Sequence, residues 1–193
     1  MPKQQTQTAK IWLDSDPLFL DTETTGLGPD SEIVEIAIVD RAGGSVFRTL
    51  VRPTAIIPAA ATRIHGITQE MVCRIGIPMD VIWDQLYPII KRRQLVIYNA
   101  AYDVRLIYQS CAAVGLDLDH GIFSTTTCAM LLYADYRGEW DDFHGNNRWH
   151  NLGAACAQQA IRTVGVQLHR AAGDAELTRR LLHVMAGLDW IYA

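Results

Sequence analysis

Apolar and polar positions alternate with two different periods along this 193-residue chain, and the change of period marks its elements. Pro17 to Glu23 is an apolar run ending in DTE, Gly26 to Asp30 supplies turn residues, and Ile33 to Val39 is a second, β-branched run. Asp40 to Gly44 turns the chain into a third strand near Val46 to Val51, so the first part predicts an antiparallel meander. The pattern then becomes helical. Short helices are expected over Pro58 to Arg63 and Thr68 to Ile75, and a longer one over Met79 to Arg93, whose basic last turn suits the helix dipole. LVIYN, Leu95 to Asn99, is a short apolar run between helices, as in a buried parallel strand. A helix over Tyr102 to Val114 stops at Gly115, a strand follows at Phe123 to Thr127, and helices follow at Ala129 to Tyr136, Leu152 to Ala160 and Gly173 to Gly187. A meander followed by βα units gives an α/β fold: a mixed sheet of antiparallel and parallel strands flanked by helices. No repeat, low-complexity tract or linker divides the chain, which reads as a polar N-terminal extension over 1–16, one domain over 17–188 and a tail over 189–193.

Acidic residues sit where this pattern expects apolar ones. Side chains alternate along a strand, so Asp21 and Glu23 share a face while Thr22 points away. Two like charges side by side are unfavourable unless a cation or a shared proton offsets them. At about 100° per residue, Leu106, Ile107, Ser110 and Val114 fall within roughly 60° of Asp103, on the inward stripe of its helix. Asp174 repeats the pattern, with Leu177, Leu181, Met185 and Leu188 around its direction. A helix cap explains either aspartate alone. It does not explain both together with a paired DxE. Four converging carboxylates form an oxygen-rich set that suits two Mg²⁺ or Mn²⁺ ions, which at a separation of roughly 3.5–4 Å activate a water and stabilise the leaving oxygen of a phosphodiester. His169, five residues before Asp174, is the candidate base, while His120, His144, His150 and His183 read as surface or helix-flanking residues.

Composition removes several alternatives. With 49% hydrophobic residues the chain can bury a sizeable core. Its polar start holds Asp14 and Asp16 where a signal peptide would be apolar, and no run approaches membrane-spanning length, so a cytoplasmic protein is expected. Cys73, Cys111, Cys128 and Cys156 are widely spaced and read as small buried thiols rather than zinc ligands or disulfides. A net charge of −4 looks wrong for a nucleic-acid partner, but two bound divalent cations would offset it entirely.

DTETTGL (Asp21 to Leu27), NAAYD (Asn99 to Asp103) and HRAAGDA (His169 to Ala175) together resemble the three motifs of the DEDDh 3′-to-5′ exonucleases, the group of the proofreading exonuclease of bacterial replicative polymerases. The intervening HGIT (His65 to Thr68) is also similar, and the likeness runs from about Leu18 to about Met185. It implies a ribonuclease H-like sheet and two-metal hydrolysis at the 3′ end of DNA, releasing nucleoside 5′-monophosphates. It places the four acids on Asp21, Glu23, Asp103 and Asp174, and the general base on His169. It also implies substrate contacts at Thr24, Thr25, Leu27, His65, Gly66, Ile67 and Asn99. Tyr102 stands where phenylalanine is common, a change expected to be tolerated.

The partner so implied is a nucleic-acid 3′ end, single-stranded DNA first and RNA as the alternative, since recognition of the 2′-OH is not legible in a sequence. A non-catalytic binding module is disfavoured because all five acid and base positions are filled. A glycosidase-like carboxylate pair would need no metal. Tyr133 to Trp149 mixes Tyr136, Trp140, Phe143 and Trp149 with Arg137 and Arg148 without a clear period. Packing over the core or a partner contact is its favoured role, ahead of stacking on single-stranded nucleic acid, because Asp141 and Asp142 would repel phosphate.

Overall fold

Strand β1 (Leu18–Thr24) is the centre of the computed structural model, which describes residues 3–190. It pairs antiparallel with β2 (Ile33–Val39), which pairs antiparallel with β3 (Ser45–Leu50). On its other side β1 runs parallel to β4 (Leu95–Ile97), and β4 parallel to β5 (Thr126–Cys128), giving the order β3-β2-β1-β4-β5. The expected meander and parallel strands are therefore one mixed sheet.

Helices cover both faces, which is why every residue of β2 is buried. Leu18, Leu20, Ile36 and Ile38 pack with residues of α4 (Met79–Ile90) and α5 (Ala100–Ala113), including Ile82, Leu86, Leu106 and Ile107. Phe19 and Val39 point the other way, into a core built with Tyr133 of α6 (Ala129–Arg137), Cys156 of α7 (Leu152–Gln158), and Leu177 and Leu181 of α8 (Ala171–Met185). The alternation of β1 thus assigns its even positions to the α5 side and its odd positions to the α8 side. A small satellite core joins α2 (Ala59–His65) and α3 (Gln69–Ile75) through Ala61, Ile67 and Val72.

Several expectations are corrected. Most of the polar extension is helix α1 (Gln4–Asp14), whose Ala9 and Leu13 are wholly buried against α6 and α8. Its large apolar residues cluster at the C-terminal end as Ile11, Trp12 and Leu13, with Ile11 exposed, so no helical period runs through the polar first half. The helix over Met79 onward stops at Ile90. Pro88 lies inside its last turn, Arg92 takes a positive φ of 61°, and Arg93 folds back on the carbonyl and carboxylate of Asp16 at 2.7 and 3.0 Å. His183 is fully buried, with Nδ1 2.9 Å from the Arg179 carbonyl oxygen, and Cys73 is exposed. The aperiodic segment folds into a hairpin of β6 (Trp140–Asp141) and β7 (Asn146–Asn147). Tyr133 enters the core, while Trp140, Phe143 and Trp149 are exposed rather than packed over it. Of the tail over 189–193, residues 191–193 lie outside the described residues.

If α1 is part of the core, Leu13→Ala should cost about 2–4 kcal/mol, as buried leucine truncations do. Urea unfolding measures this, and a loss below about 1 kcal/mol would make α1 a detachable arm.

Candidate active site

The C-terminal end of β1 carries the acids. Asp21 and Glu23 continue the face of Phe19, toward α8, and Asp174 in the first turn of α8 meets them there. One carboxylate oxygen from each of the three lies within 4.8 Å of the others. Thr22, between them, turns to the opposite side, where its backbone amide and hydroxyl donate to Asp103 Oδ1 at 3.1 and 2.7 Å. Asp103 is therefore attached to the same strand from the α5 side, apart from the group formed by the other three.

Confinement makes these acids reluctant to ionise. Burial, followed by the charges of Asp103, Asp174, Glu23 and Glu35, drives Asp21 well above the carboxylate range. Glu23 is pushed up to about 8 by burial and then by Asp174 and Glu35, with Arg170 pulling down. Asp103 rises to about 7 through burial, against its bonds from Thr22. Asp174 is raised by burial, and His169 opposes this through its charge and a hydrogen bond from its backbone. An all-oxygen, like-charged set of this kind is relieved by a hard divalent cation, so its chemistry fits Mg²⁺ or Mn²⁺.

Glu35 is a residue that sequence reasoning missed. It sits opposite Glu23 in the β1–β2 register, with its side chain only 1% exposed. Its carboxylate accepts from Arg170 Nε and Nη2 at 2.8 and 2.6 Å, from Arg48 Nε and Nη2 at 3.2 and 3.1 Å, and from the Ala171 amide at 3.0 Å. Burial alone would raise its pKa, but the Arg170 bond, the Ala171 amide and the two guanidinium charges bring it below the ordinary value. Glu35 thus ties the start of α8 to the sheet. Its only sequence signal is a lone charge inside IVEIAIV.

His169, beside Asp174, is exposed and holds a positive φ of 55°, a conformation costly for a side-chain-bearing residue. The chain folds so tightly there that a Cβ on Gly173 would stand 2.0 Å from the Gln167 carbonyl oxygen. Only glycine lets α8 start this close to the loop that carries His169.

The family described as Exonuclease, of RNase T type, matches residues 18–182. The chain belongs to this exonuclease family. It is 45% identical over 183 residues to an uncharacterized exonuclease of Escherichia phage 186, covering 93% of each chain. It is 31% identical over 180 residues to the DNA polymerase III subunit epsilon of Buchnera aphidicola from Acyrthosiphon pisum, covering 88% of this chain and 72% of the relative. Among solved structures, exonuclease X in complex with 5′ overhanging duplex DNA matches with TM-score 0.60 and 28% identity, covering 88% and 90% of the two chains. The resemblance carried by the three motifs is thereby confirmed, and the fold is of the ribonuclease H-like type.

Within this exonuclease the other expected contact residues behave unequally. Leu27 is 82% exposed beside the acids' strand, and Asn99 sits exposed in a left-handed conformation at the head of α5. His65 is buried, its Nδ1 accepting from the Ile67 amide at 3.0 Å. Burial lowers its pKa, and a contact with the Thr24 backbone works in the opposite sense. Gly66 ends α2 with a φ of 73°. The Ile67 side chain is wholly inside the satellite core, so a side-chain contact from Ile67 to substrate is corrected. The hydroxyls of Thr24 and Thr25 are engaged within their own turn, Thr24 Oγ1 donating to the Gly26 carbonyl and Thr25 Oγ1 accepting from the Glu32 amide, each at 3.0 Å.

The raised acids set a pH dependence. Their folded form holds protons more tightly than the unfolded chain, so in EDTA these groups erode stability as pH rises from the ordinary carboxylate range toward about 8. Glu35 and Glu176 act in the opposite sense, since their lowered values give stability that is lost only as pH falls through the acid range. The melting-temperature gap between Mn²⁺ and EDTA should therefore widen from about pH 5.5 to about pH 8.5, with protons released on Mn²⁺ addition. A gap independent of pH would mean that these acids do not titrate as a group. Gly173→Ala should displace the His169 loop and reduce nuclease activity by at least about tenfold while circular dichroism stays native. Unchanged activity in that variant would show the loop to be dispensable.

Proposed function

We propose that this exonuclease removes nucleotides from the 3′ end of DNA, releasing nucleoside 5′-monophosphates, with Asp21, Glu23, Asp103 and Asp174 holding two Mg²⁺ or Mn²⁺ ions. The observation that carries this reading is the three-carboxylate cluster of Asp21, Glu23 and Asp174 on one sheet face, with His169 beside Asp174. When bound, such ions supply a water acidified toward neutrality and charge neutralisation at the leaving oxygen. His169 takes a proton from the attacking water. Its exposed ring, on a loop anchored through Arg170 and Glu35, can receive that proton and pass it to solvent. Asp103 acts from the α5 side, fixed by Thr22, and its charge bears on Asp21.

Leu27 and Asn99, with the backbone of Thr24, Thr25 and Gly66 and with His65, line the pocket for the 3′-terminal nucleotide. DNA is favoured over RNA because exonuclease X, similar over most of both chains, is bound to overhanging duplex DNA. No helix among the described residues is long and apolar enough to cross a membrane. With four free cysteines, the protein suits the cytoplasm.

Labelled single- and double-stranded DNA and RNA, each with Mg²⁺, Mn²⁺ or EDTA, test the reading. Stepwise 3′ shortening of DNA, abolished by EDTA, is expected, and faster cleavage of RNA would shift the substrate to RNA 3′ ends. His169→Ala should lose on the order of 10²–10⁴ in rate. Wild-type rates in His169→Ala would remove His169 from the base role.

A further inference from the structure

The turn after the first two acids is built almost wholly from backbone, and helix α5 holds it from outside. Residues 26–31 leave the sheet between β1 and β2, so their carbonyls have no strand partner. Within the turn Gly26 accepts from the Thr24 hydroxyl and Gly28 from the Ser31 amide at 3.2 Å, and three α5 side chains supply further donors. Tyr102 Oη donates to the Gly26 carbonyl at 2.8 Å and lies 2.6 Å from Thr24 Oγ1. Arg105 Nη1 and Nη2 reach the carbonyls of Gly28 and Leu27 at 3.2 and 3.3 Å, and its guanidinium stands 5.4 Å from the centre of the Tyr102 ring. Gln109 Nε2 reaches the carbonyls of Gly28 and Ser31 at 3.2 and 3.0 Å, and that of Pro29. At about 100° per residue these three positions lie within about 60° of one another on the helix.

We propose that Tyr102, Arg105 and Gln109 are positioning residues for substrate: they hold the Thr24–Ser31 turn so that the wall of the 3′-nucleotide pocket is formed before binding. The proposal rests on the assignment of that turn to the pocket. It gives the Tyr102 hydroxyl a specific task, since a phenylalanine there could not donate to Gly26. Because the same helix carries Asp103, bonded to Thr22, and Ser110, whose hydroxyl accepts from the Ile33 amide at 2.8 Å, the turn and an acid share one rigid support. A wall already ordered spares the substrate the ordering cost, so loss of the clamp raises KM and leaves kcat and metal affinity in place.

Tyr102→Phe and Gln109→Leu in the full chain test this. Tyr102→Phe should raise KM for a single-stranded oligonucleotide about threefold to tenfold, the range of one lost hydrogen bond, and Gln109→Leu, which removes the contacts to Gly28, Pro29 and Ser31, by at least as much, with kcat and Mn²⁺ affinity by calorimetry within about twofold. Amide hydrogen exchange at Thr25, Ser31 and Glu32, measured without substrate, should quicken at least threefold, whereas a merely structural role would lower thermal stability without splitting KM from kcat. Unchanged KM, or unchanged exchange in the turn, overturns the proposal. Leu27→Ala separates the two assignments. If it raises KM while Tyr102→Phe does not, only the clamp is wrong; if neither raises KM, the turn is not the pocket wall.

Discussion

Asp21, Glu23 and Asp174 repel one another at the open end of β1, and much of the surrounding architecture keeps them together despite it. Like charges at this separation would part if carried on flexible loops. Here two are fixed on one strand that has a sheet neighbour on either side, and the third is on a helix whose start is tied to that sheet by Glu35, Arg170 and the Ala171 amide. Burial first, and neighbouring charge after it, raises the pKa values of these acids while the scaffold holds them in place. A divalent cation is the natural complement of such a site.

Glu35 shows how the charge balance is divided. It is less exposed than Asp21, Glu23 and Asp174, yet it ionises readily because Arg170, the Ala171 amide and Arg48 face it, while Glu23, directly opposite in register, has no such set of donors. One face of the sheet thus places a satisfied carboxylate beside unsatisfied ones. The satisfied one fixes the geometry; the unsatisfied ones are left available for chemistry. On the other face, Asp103 and the donors of α5 fasten the strand end and the following turn, so both sides of β1 are braced just where substrate would approach.

Much of this could be read along the chain. The β-branched run Ile33 to Val39 coincides with β2, and the apolar stripes around Asp103 and Asp174 place both aspartates in partly or fully buried helix starts. The short strand at Thr126 and the hairpin at Trp140 are poorly marked, because strands of two or three residues are defined by their neighbours and carry no period of their own. Helix α1 escaped because its large apolar residues crowd into Ile11 to Leu13 after a polar first half, and a consecutive run does not make a recognisable helical face.

Sequence by itself determined most strand and helix types and the order in which the candidate acids and His169 occur, because alternation, helical spacing and motif spacing are local properties of the chain. Tertiary structure alone decided which acids meet. Asp21, Glu23 and Asp174 gather on the α8 face, while Asp103 approaches through Thr22 from the other. It also decided that Ile67 belongs to a core, that Glu35 anchors the His169 loop, and that Tyr102 bonds the turn across 76 residues of sequence. These are long-range pairings, set by sheet register and helix packing, and no local pattern records them.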